Sequence, residues 1–400
     1  MQVFRYAESG SINFLWVSCT NPAVSLPELS RIRNILQQED LFLVVQDIFM
    51  TETARYADVV LPAATWGEKL GTFTNADRTV HISEKAVDPP GEARADFEIF
   101  LDYARRMDFR DKDGDSLIKW ETPEECFEAW KECTRGRPCD YTGITYEMLR
   151  GGSGIQWPCN DEHPEGTERL YSDGDFNTQT GYCKRYGSDL LTGATLSEAD
   201  HKALDPAGRA ILHAAEYLPP HEEPGEEYPF RYATGRTLYQ FHTRTKTARA
   251  PQLQNAAPEV WVEVHPADAG SLGIGEGDVV RVESPRGGME ARARVSGIRE
   301  GVVFAPFHYG YWDQQGEDGP DGRPRAANEL TITEWDPVSK QPLFKVGTVK
   351  VTKVAEASGK ASTAPTNTAS APVVGELGGP TPAATTGHGA AEAIETVREG

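Results

Sequence analysis

The chain has 400 residues, with 40 Lys or Arg against 61 Asp or Glu, so its formal net charge is −21. Such an acidic chain repels a phosphate backbone, which argues against a nucleic-acid-binding protein. No apolar run approaches the roughly eighteen residues of a membrane span, and no signal-peptide pattern opens the chain. The six cysteines form no C-x-x-C pair, which favours reduced, structural thiols and a cytoplasmic protein.

Residues 1–107 show the β-α-β-α-β order of half a doubly wound parallel sheet. Ligands of such sheets bind beyond the carboxyl ends of the strands, where Cys19–Pro22 and Gln46–Asp47 stand. Cys19 itself is predicted to have a packing role. The predicted strands are Ile12–Cys19, Leu41–Val45 and Asp58–Leu61, and the predicted helices are Leu26–Gln38, a short one from about Thr51, and Phe97–Met107.

Residues 108–227 carry five of the six cysteines, and we predict an irregular insertion that links two domains. Helical spacing occurs only at Glu124–Lys131 and Ser197–Ala215. The run Asp111–Asp115 superficially resembles a calcium loop, but its Gly is fourth rather than sixth and Thr122 replaces the bidentate Glu. We therefore predict a solvated turn there.

Residues 228–354 change to short strands separated by Gly, Pro and Asp, which is typical of a compact β-barrel. The Gly273–Gly277 stretch precedes a strand rather than a helix, so it predicts a turn and not a dinucleotide fingerprint. Residues 355–400 lack a core-forming pattern and are predicted to be a disordered tail. The predicted strands are Phe230–Ala233, Val260–Val264, Asp278–Ser284, Met289–Val295, Gly301–Phe304 and Val346–Val351.

Three segments, in this order, resemble one enzyme family. They are Ala57–Arg78, then Thr234–Thr243, then Ala327–Thr331 with Asp336-Pro337 and Phe344-Lys345 following. Their amino-acid sequences are similar to those of the molybdopterin oxidoreductases of the dimethyl sulfoxide reductase family, especially bacterial nitrate reductases and formate dehydrogenases. The resemblance implies an α/β plus β fold, with a partial doubly wound sheet and a C-terminal barrel of the double-psi type. It also implies that the chain is the C-terminal half of such an enzyme.

The resemblance further implies a molybdenum bis(molybdopterin guanine dinucleotide) cofactor. It assigns no catalytic residue and no metal ligand to these 400 positions, and it expects a 4Fe-4S cluster only in an upstream part. Phe307 would lie near the substrate funnel. The implied cofactor contacts are Asn21, Gln46, Asp47, Lys69, Asp96, Thr234, Gly235, Arg236, Thr237, Leu238, Tyr239, Gln240, Phe241, His242, Thr243, Asn328 and Lys345.

The residue types suit such a ligand. Guanine has adjacent N–H donors that a carboxylate accepts bidentately, for which Asp47 and Asp96 are the candidates. Lys69 offers a point charge for phosphate, and the Arg236 guanidinium can fork onto phosphate or carbonyl oxygens. Each of these residues, taken singly, could instead have a structural role. Asp47 could cap a helix or turn, and Lys69 could form a surface ion pair with Glu68. His242 and His308 could be ordinary histidines with satisfied hydrogen bonds.

The function implied by the resemblance is the reduction of nitrate to nitrite. The stretches Gly143–Tyr146 and Gly154–Cys159 resemble the assimilatory nitrate reductases. The alternatives are a formate dehydrogenase, an assembly or cofactor-binding partner without catalysis, and a truncated product. The implied partners are a small inorganic anion as substrate and an electron donor protein or domain, and the chain alone is expected to be inactive.

Overall fold

The computed structural model describes residues 1–176, 217–313, 315–316, 319–320, 324–336 and 341–357. The predicted helix at Ser197–Ala215 lies outside the described residues, as does the predicted tail after residue 357. The described chain contains a parallel sheet, a small antiparallel sheet and a closed barrel.

The N-terminal sheet contains the three strands expected from the sequence. They are all parallel and lie in the order β1-β2-β3. Ser18 at the end of the first strand is level with Gln46, and Gln46 is level with Leu61 of the third. The three carboxyl ends therefore form a common edge, where a ligand can approach. The strands are β1 (Phe14–Ser18), β2 (Phe42–Asp47) and β3 (Val59–Pro62).

The helices in this region differ from the prediction at two points, the first of which is the unpredicted helix Gln2–Glu8. The single helix predicted at Leu26–Gln38 is wrong, because Leu26 is extended and Glu28 has a left-handed φ of 49°. Leu26 precedes a proline, which disfavours the α conformation. The helices are α1 (Gln2–Glu8), α2 (Pro22–Ser25), α3 (Leu29–Leu36) and α4 (Asp96–Arg106), with 3-10 turns at Thr53–Tyr56 and Trp66–Glu68.

A second, antiparallel sheet was not predicted. It combines β4 (Gly71–Thr74), β5 (Thr79–Ser83) and β6 (Ile155–Gln156). Beside it lie the helices α5 (Pro123–Glu132) and α6 (Tyr146–Arg150), the first of which was predicted. Their shared core includes the fully buried Val80 and Ile144.

Two details of this region follow from capping chemistry. Thr122 accepts a hydrogen bond from the Glu125 amide, and the Glu125 carboxylate accepts one from the Thr122 amide, which forms a capping box for α5. The solvated turn predicted at Asp111–Asp115 is confirmed, because one Asp111 oxygen accepts from the Asp113 and Asp115 amides, each at 2.9 Å, in an exposed loop.

The barrel region confirms all six predicted strands. They close in the order β10-β8-β11-β7-β14-β9, with parallel pairing for β7 with β11 and for β8 with β10. The turn predicted at Gly273–Gly277 is confirmed, since Gly273 ends a helix with a φ of 65° and a strand follows. The barrel strands are β7 (Phe230–Gly235), β8 (Trp261–Val264), β9 (Val279–Ser284), β10 (Gly287–Val295), β11 (Val302–Pro306) and β14 (Gly347–Ala355).

Short elements decorate the barrel. Its core is apolar and continuous, with Val262, Val280, Met289 and Val303 completely buried. The decorating elements are α7 (Pro251–Ala256), α8 (Pro266–Leu272), the short ladder of β12 (Gln315–Gly316) with β13 (Gly319–Pro320), and 3-10 turns at Thr247–Arg249 and Ala327–Glu329.

The parallel sheet and the barrel touch through polar contacts. Arg33 on α3 makes a bidentate ion pair with Glu329, at 2.7 and 3.0 Å. The Asn328 amide donates to the Val24 carbonyl at 3.0 Å. Because these partners lie about 300 positions apart in sequence, the contacts fix how the two regions face each other.

Candidate functional site

A cleft of about 450 Å³ lies between the carboxyl edge of the parallel sheet and a loop of the barrel. The sheet side brings the ends of β1 and β2, the segment after β3 and the start of α4. The barrel side brings the loop that follows β7. The lining residues are Cys19, Thr20, Asn21, Ser25, Asp47, Ile48, Ala63, Ala64, Thr65, Trp66, Lys69, Asp96, Phe241, His242, Thr243, Thr245 and Lys246.

Asp96 is the best-supported polar group of the cleft. One carboxylate oxygen accepts from the Gln46 side-chain amide at 2.6 Å, and the other forms an ion pair with Lys69. The Gln46 oxygen in turn accepts from the Trp16 indole at 3.2 Å. Gln46 is completely buried and outside the cleft lining, so it orients Asp96 rather than facing a ligand.

Cys19 contradicts the packing role predicted for it. Its side chain is exposed, lines the cleft, and lies 3.9 Å from a carboxylate oxygen of Asp96. The cause is local: Cys19 follows the last residue of β1 with a left-handed φ of 58°, which directs the thiol outward. A positive φ at a non-glycine residue cannot be read from the sequence.

Asp47 and Asn21 lie on the sheet side of the cleft. Asp47 accepts a hydrogen bond from the Ile48 amide at 2.7 Å, and burial raises the pKa of its carboxyl group. The Asn21 amide nitrogen donates to Glu52 at 2.8 Å and to Thr243 at 3.2 Å, while its oxygen accepts from Thr53. The protein thus already satisfies the Asn21 side chain.

The loop after β7 is held by one buried histidine. His308 accepts from the Thr237 amide at 2.8 Å through Nε2 and donates to the His242 carbonyl at 2.5 Å through Nδ1. These two bonds define the neutral tautomer, and burial lowers the pKa of His308 to about 4. The loop that carries most of the predicted contacts is therefore pinned near both ends.

Predicted residues of this loop point in different directions. Arg236 is exposed, with its guanidinium 5.5 Å from the centre of the Phe307 ring. Leu238 is 90% exposed, whereas the Gln240 amide is buried and donates to the Ala257 carbonyl at 2.9 Å. Tyr239 packs on the barrel core. Leu238, Tyr239 and Gln240 lie outside the cleft lining.

Barrel-rim residues form a second group beside the loop. The Lys345 ammonium donates to the Thr234 carbonyl, and burial, followed by the charge of Arg236, lowers the Lys345 pKa. A Cβ at Gly235 would lie 2.7 Å from a ring atom of Phe304, so the backbone approaches closely there.

Seven predicted contact residues meet in the cleft: Asn21, Asp47, Lys69, Asp96, Phe241, His242 and Thr243. Three other residues line the cleft but were not identified from the sequence: Trp66, Thr245 and Lys246. In the structure Trp66 is 68% exposed. A tryptophan beside glycine in a loop was an available signal for Trp66. Thr245 and Lys246 lie just beyond the segment that carried the resemblance, so nothing marked them.

Two predicted contact residues carry buried atoms with unused hydrogen-bonding capacity. Within the described residues, the Thr237 hydroxyl and the Asn328 amide oxygen have no hydrogen-bond partner. Native proteins satisfy most buried polar atoms, so such groups are candidates for contacts with a ligand.

Within the described ranges, no group of three or more His, Cys, Asp or Glu side chains is arranged to hold a metal ion. The helices of the same residues include none long and apolar enough to cross a membrane.

Comparison with known proteins gives two family matches. Residues 1–106 match the molybdopterin oxidoreductase family, and residues 230–348 match the molydopterin dinucleotide binding domain. In solved structures, acetylene hydratase from Pelobacter acetylenicus shares the fold with a TM-score of 0.62 at 20% identity, over 88% of this chain and 46% of that one.

Curated relatives carry two kinds of name. The chain is 38% identical to the F420-dependent formate dehydrogenase subunit alpha of Methanocaldococcus jannaschii, over 87% of this chain and 44% of that protein. It is 37% identical to a nitrate reductase of Symbiobacterium thermophilum, over 88% and 43%. It is 31% identical to the assimilatory nitrate reductase catalytic subunit of Bacillus subtilis, over 88% and 43%.

The chain thus spans less than half the length of these relatives. The two family matches cover the regions that form the cleft, and the relatives align with almost nine-tenths of the chain. The α/β plus barrel fold expected from the sequence is confirmed. The protein belongs to the molybdopterin oxidoreductases of the dimethyl sulfoxide reductase family and carries a molybdopterin dinucleotide-binding domain.

Proposed function

We propose that the cleft binds the guanine nucleotide end of a molybdopterin cofactor, and that the chain serves a nitrate-reducing molybdenum enzyme with bis(molybdopterin guanine dinucleotide). The observation that carries the proposal is the Asp96 carboxylate, which lines the cleft, is held by Gln46 and is paired with Lys69. A ligand with adjacent N–H donors can take the place of Lys69 on the carboxylate, which releases the ammonium group for phosphate.

The donor set of the chain suits a dinucleotide. Lys246 and Lys69 line the cleft, and Arg236 and Lys345 lie at the adjoining rim, so cations gather there in a chain of net charge −21. The close backbone approach at Gly235 and the unpartnered Thr237 hydroxyl offer further room and hydrogen bonding. These features support a phosphate-bearing ligand.

When bound, the molybdenum centre of such a cofactor supplies two-electron chemistry at a small oxyanion. In the proposal, the residues of this chain bind and orient the organic part: Asp96 the base, and Lys69 with the rim cations the phosphates. Phe307 would border the path of the substrate. An electron donor protein or domain and a cytoplasmic location are parts of the same proposal.

A formate dehydrogenase is the second candidate. Relatives named as F420-dependent formate dehydrogenase alpha subunits are 35–38% identical, and those named as nitrate reductases are 31–37% identical. The overlap of these ranges supports both substrates. We favour nitrate because the Gly143–Tyr146 and Gly154–Cys159 stretches resemble the assimilatory nitrate reductases.

Metal and pterin analysis tests the cofactor. The native enzyme that contains this chain, grown with ample molybdate, should carry molybdenum and release a fluorescent oxidised pterin on acid denaturation. Absence of both would contradict the proposal. The released nucleotide should be GMP, and recovery of another nucleotide would disprove the guanine assignment.

Turnover tests the substrate. With a reduced viologen as donor, the native enzyme should reduce nitrate and should not oxidise formate with an oxidised dye. The reverse result would favour the second candidate. The 400-residue chain alone should catalyse neither reaction, since none of its residues is assigned as a molybdenum ligand. Nitrate reduction by the purified chain would refute that part of the proposal.

A further inference from the structure

Glu52 is a carboxylate buried between the parallel sheet and the barrel. Its side chain lies just before the 3-10 turn Thr53–Tyr56, and the residue is only 3% exposed. One oxygen accepts from two consecutive backbone amides of the barrel region, Tyr311 at 2.6 Å and Trp312 at 2.9 Å. The other oxygen accepts from the Asn21 amide at 2.8 Å. All three partners are donors, and a carboxylate is the side chain that accepts at both ends.

The backbone that receives Glu52 is shaped to fit it. A Cβ at Gly310 would overlap the Glu52 carboxylate and would also meet a methyl group of Val24 at 2.5 Å. Glycine at this position therefore allows the chain of the barrel region to approach the sheet closely. The approach places the Tyr311 and Trp312 amides within hydrogen-bonding reach.

Asn21 connects Glu52 to the cleft. Its amide nitrogen donates to Glu52 and also to the hydroxyl of Thr243 at 3.2 Å. Its oxygen accepts from the Thr53 amide at 3.2 Å and the Thr53 hydroxyl at 2.7 Å. Asn21 lines the cleft from the sheet side and Thr243 from the barrel side. The amide orientation is thus fixed by acceptors on one side and donors on the other.

We propose that Glu52 is a positioning residue for the cofactor: through Asn21 and Thr243 it sets the distance between the two walls of the cleft. The proposal rests on the proposed function of the cleft and also revises it. Asn21 acts through Glu52 and Thr243 rather than as a direct cofactor contact. Arg33 with Glu329 joins the same two regions by a contact that does not use Glu52, so loss of Glu52 should misplace the cleft walls without separating the regions.

Exchange of functional groups between the two side chains tests the proposal. Glu52→Gln leaves an amide facing the Asn21 amide, donor against donor. Asn21→Asp brings two carboxylates together. The double variant Glu52→Gln/Asn21→Asp restores complementarity, because the amide introduced at position 52 then donates to a carboxylate that still accepts from Thr53.

GDP is the probe, measured by titration calorimetry on the 400-residue chain. Glu52→Gln should weaken GDP binding about tenfold and Asn21→Asp more, and the double variant should return within about threefold of the unaltered chain. Arg33→Met is the matched control, since it removes a contact between the same regions away from the cleft. It should lower the melting temperature and leave GDP binding within about threefold.

Hydrogen exchange gives a readout that needs no ligand. The Tyr311 and Trp312 amides should exchange faster in Glu52→Gln and return to slow exchange in the double variant. Arg33→Met should leave the Trp312 amide slow, because that amide still donates to Glu52. Failure of the double variant to restore both readouts, or an equal loss of GDP binding in Arg33→Met, would overturn the positioning role. If the unaltered chain does not bind GDP, the guanine-binding proposal fails, and exchange alone decides whether Glu52 fixes the walls.

Discussion

The barrel and the parallel sheet meet the same cleft but differ in how complete they are. Each barrel strand pairs with two neighbours in a closed ring. In the described part of the chain, β1 and β3 pair only with β2. On one face of that sheet Phe14 and Phe42 stack at 6.0 Å while 43% and 47% exposed. A closed barrel satisfies its own backbone, whereas an open sheet depends on what covers it.

The two regions supply different groups to the cleft. The open sheet supplies the acceptors Asp47 and Asp96, and the closed barrel supplies the loop with His242 and Lys246. Neither region has the full set. The geometry of the cleft therefore depends on the polar contacts between them, above all those of Glu52.

The largest effect should come from separating the two regions. A fragment of residues 217–357 should melt cooperatively, since it keeps the whole barrel and the ion pair of Glu222 with Arg286 at 3.0 Å. A fragment of residues 1–107 should aggregate or remain molten, because its apolar face and strand edges are uncovered. Thermal unfolding followed by circular dichroism compares them, and a cooperative transition only in the shorter fragment would reverse the comparison.

Asp96→Ala should weaken GDP binding by about 1–3 kcal/mol, since the guanine N–H donors lose the carboxylate proposed to accept from them. Titration calorimetry measures the effect. Glu356→Ala is the control: this carboxylate is 84% exposed on the barrel side and should be silent. Unchanged GDP affinity in Asp96→Ala would show that Asp96 does not accept from the guanine.

Acid should loosen the barrel loop through His308. Its pKa is about 4 in the fold against 6.5 in its absence, so the unfolded chain binds the proton more readily. The contribution of His308 to the free energy of unfolding is fully present above pH 6.5 and is lost as the pH falls toward 4. At pH 5 about 2 kcal/mol of it is gone. Arg236, His242 and Arg244 face the ring and oppose its protonation.

Urea unfolding at pH 7 and pH 5 measures this loss. His308→Gln should remove the pH-dependent part, because glutamine does not titrate. His163→Gln, at an exposed position, should leave the difference between the two pH values unchanged. A difference that persists in His308→Gln would assign the acid sensitivity to another group.

The smallest effect is expected on the barrel surface. A Cβ at Gly270, inside α8, meets nothing within 4 Å, so Gly270→Ala should stabilise by about 0.5–1 kcal/mol through helix propensity. Gly235→Ala should instead destabilise, since its Cβ would press on Phe304 at 2.7 Å. Calorimetry should show a higher melting temperature for Gly270→Ala and a lower one for Gly235→Ala. Equal changes in the two variants would show that the barrel rim at Gly235 is not tightly packed.

Local patterns predicted most of the regular structure. The strands of the parallel sheet and of the barrel, with the helices α4 and α5, were found within a few residues, because apolar periodicity and Gly or Pro boundaries act over short distances. The break between α2 and α3 was missed, although Pro27 was a local signal. In the antiparallel sheet, β6 was missed because it joins β5 from about 75 residues away and no local pattern encodes such pairing. The hairpin of β4 and β5 is local and was missed although its two strands are only four residues apart.

The sequence by itself determined the residue types of the cleft, the family, and where along the chain the strands of the parallel sheet and the barrel lie. Only the tertiary structure decided which predicted residues face the cleft, and it turned Gln46 and Asn21 toward other side chains. It also revealed Glu52, whose partners at positions 311 and 312 lie about 260 residues away. The physical reason is that a buried carboxylate is specified by donors gathered from distant parts of the chain, and sequence proximity carries no record of them.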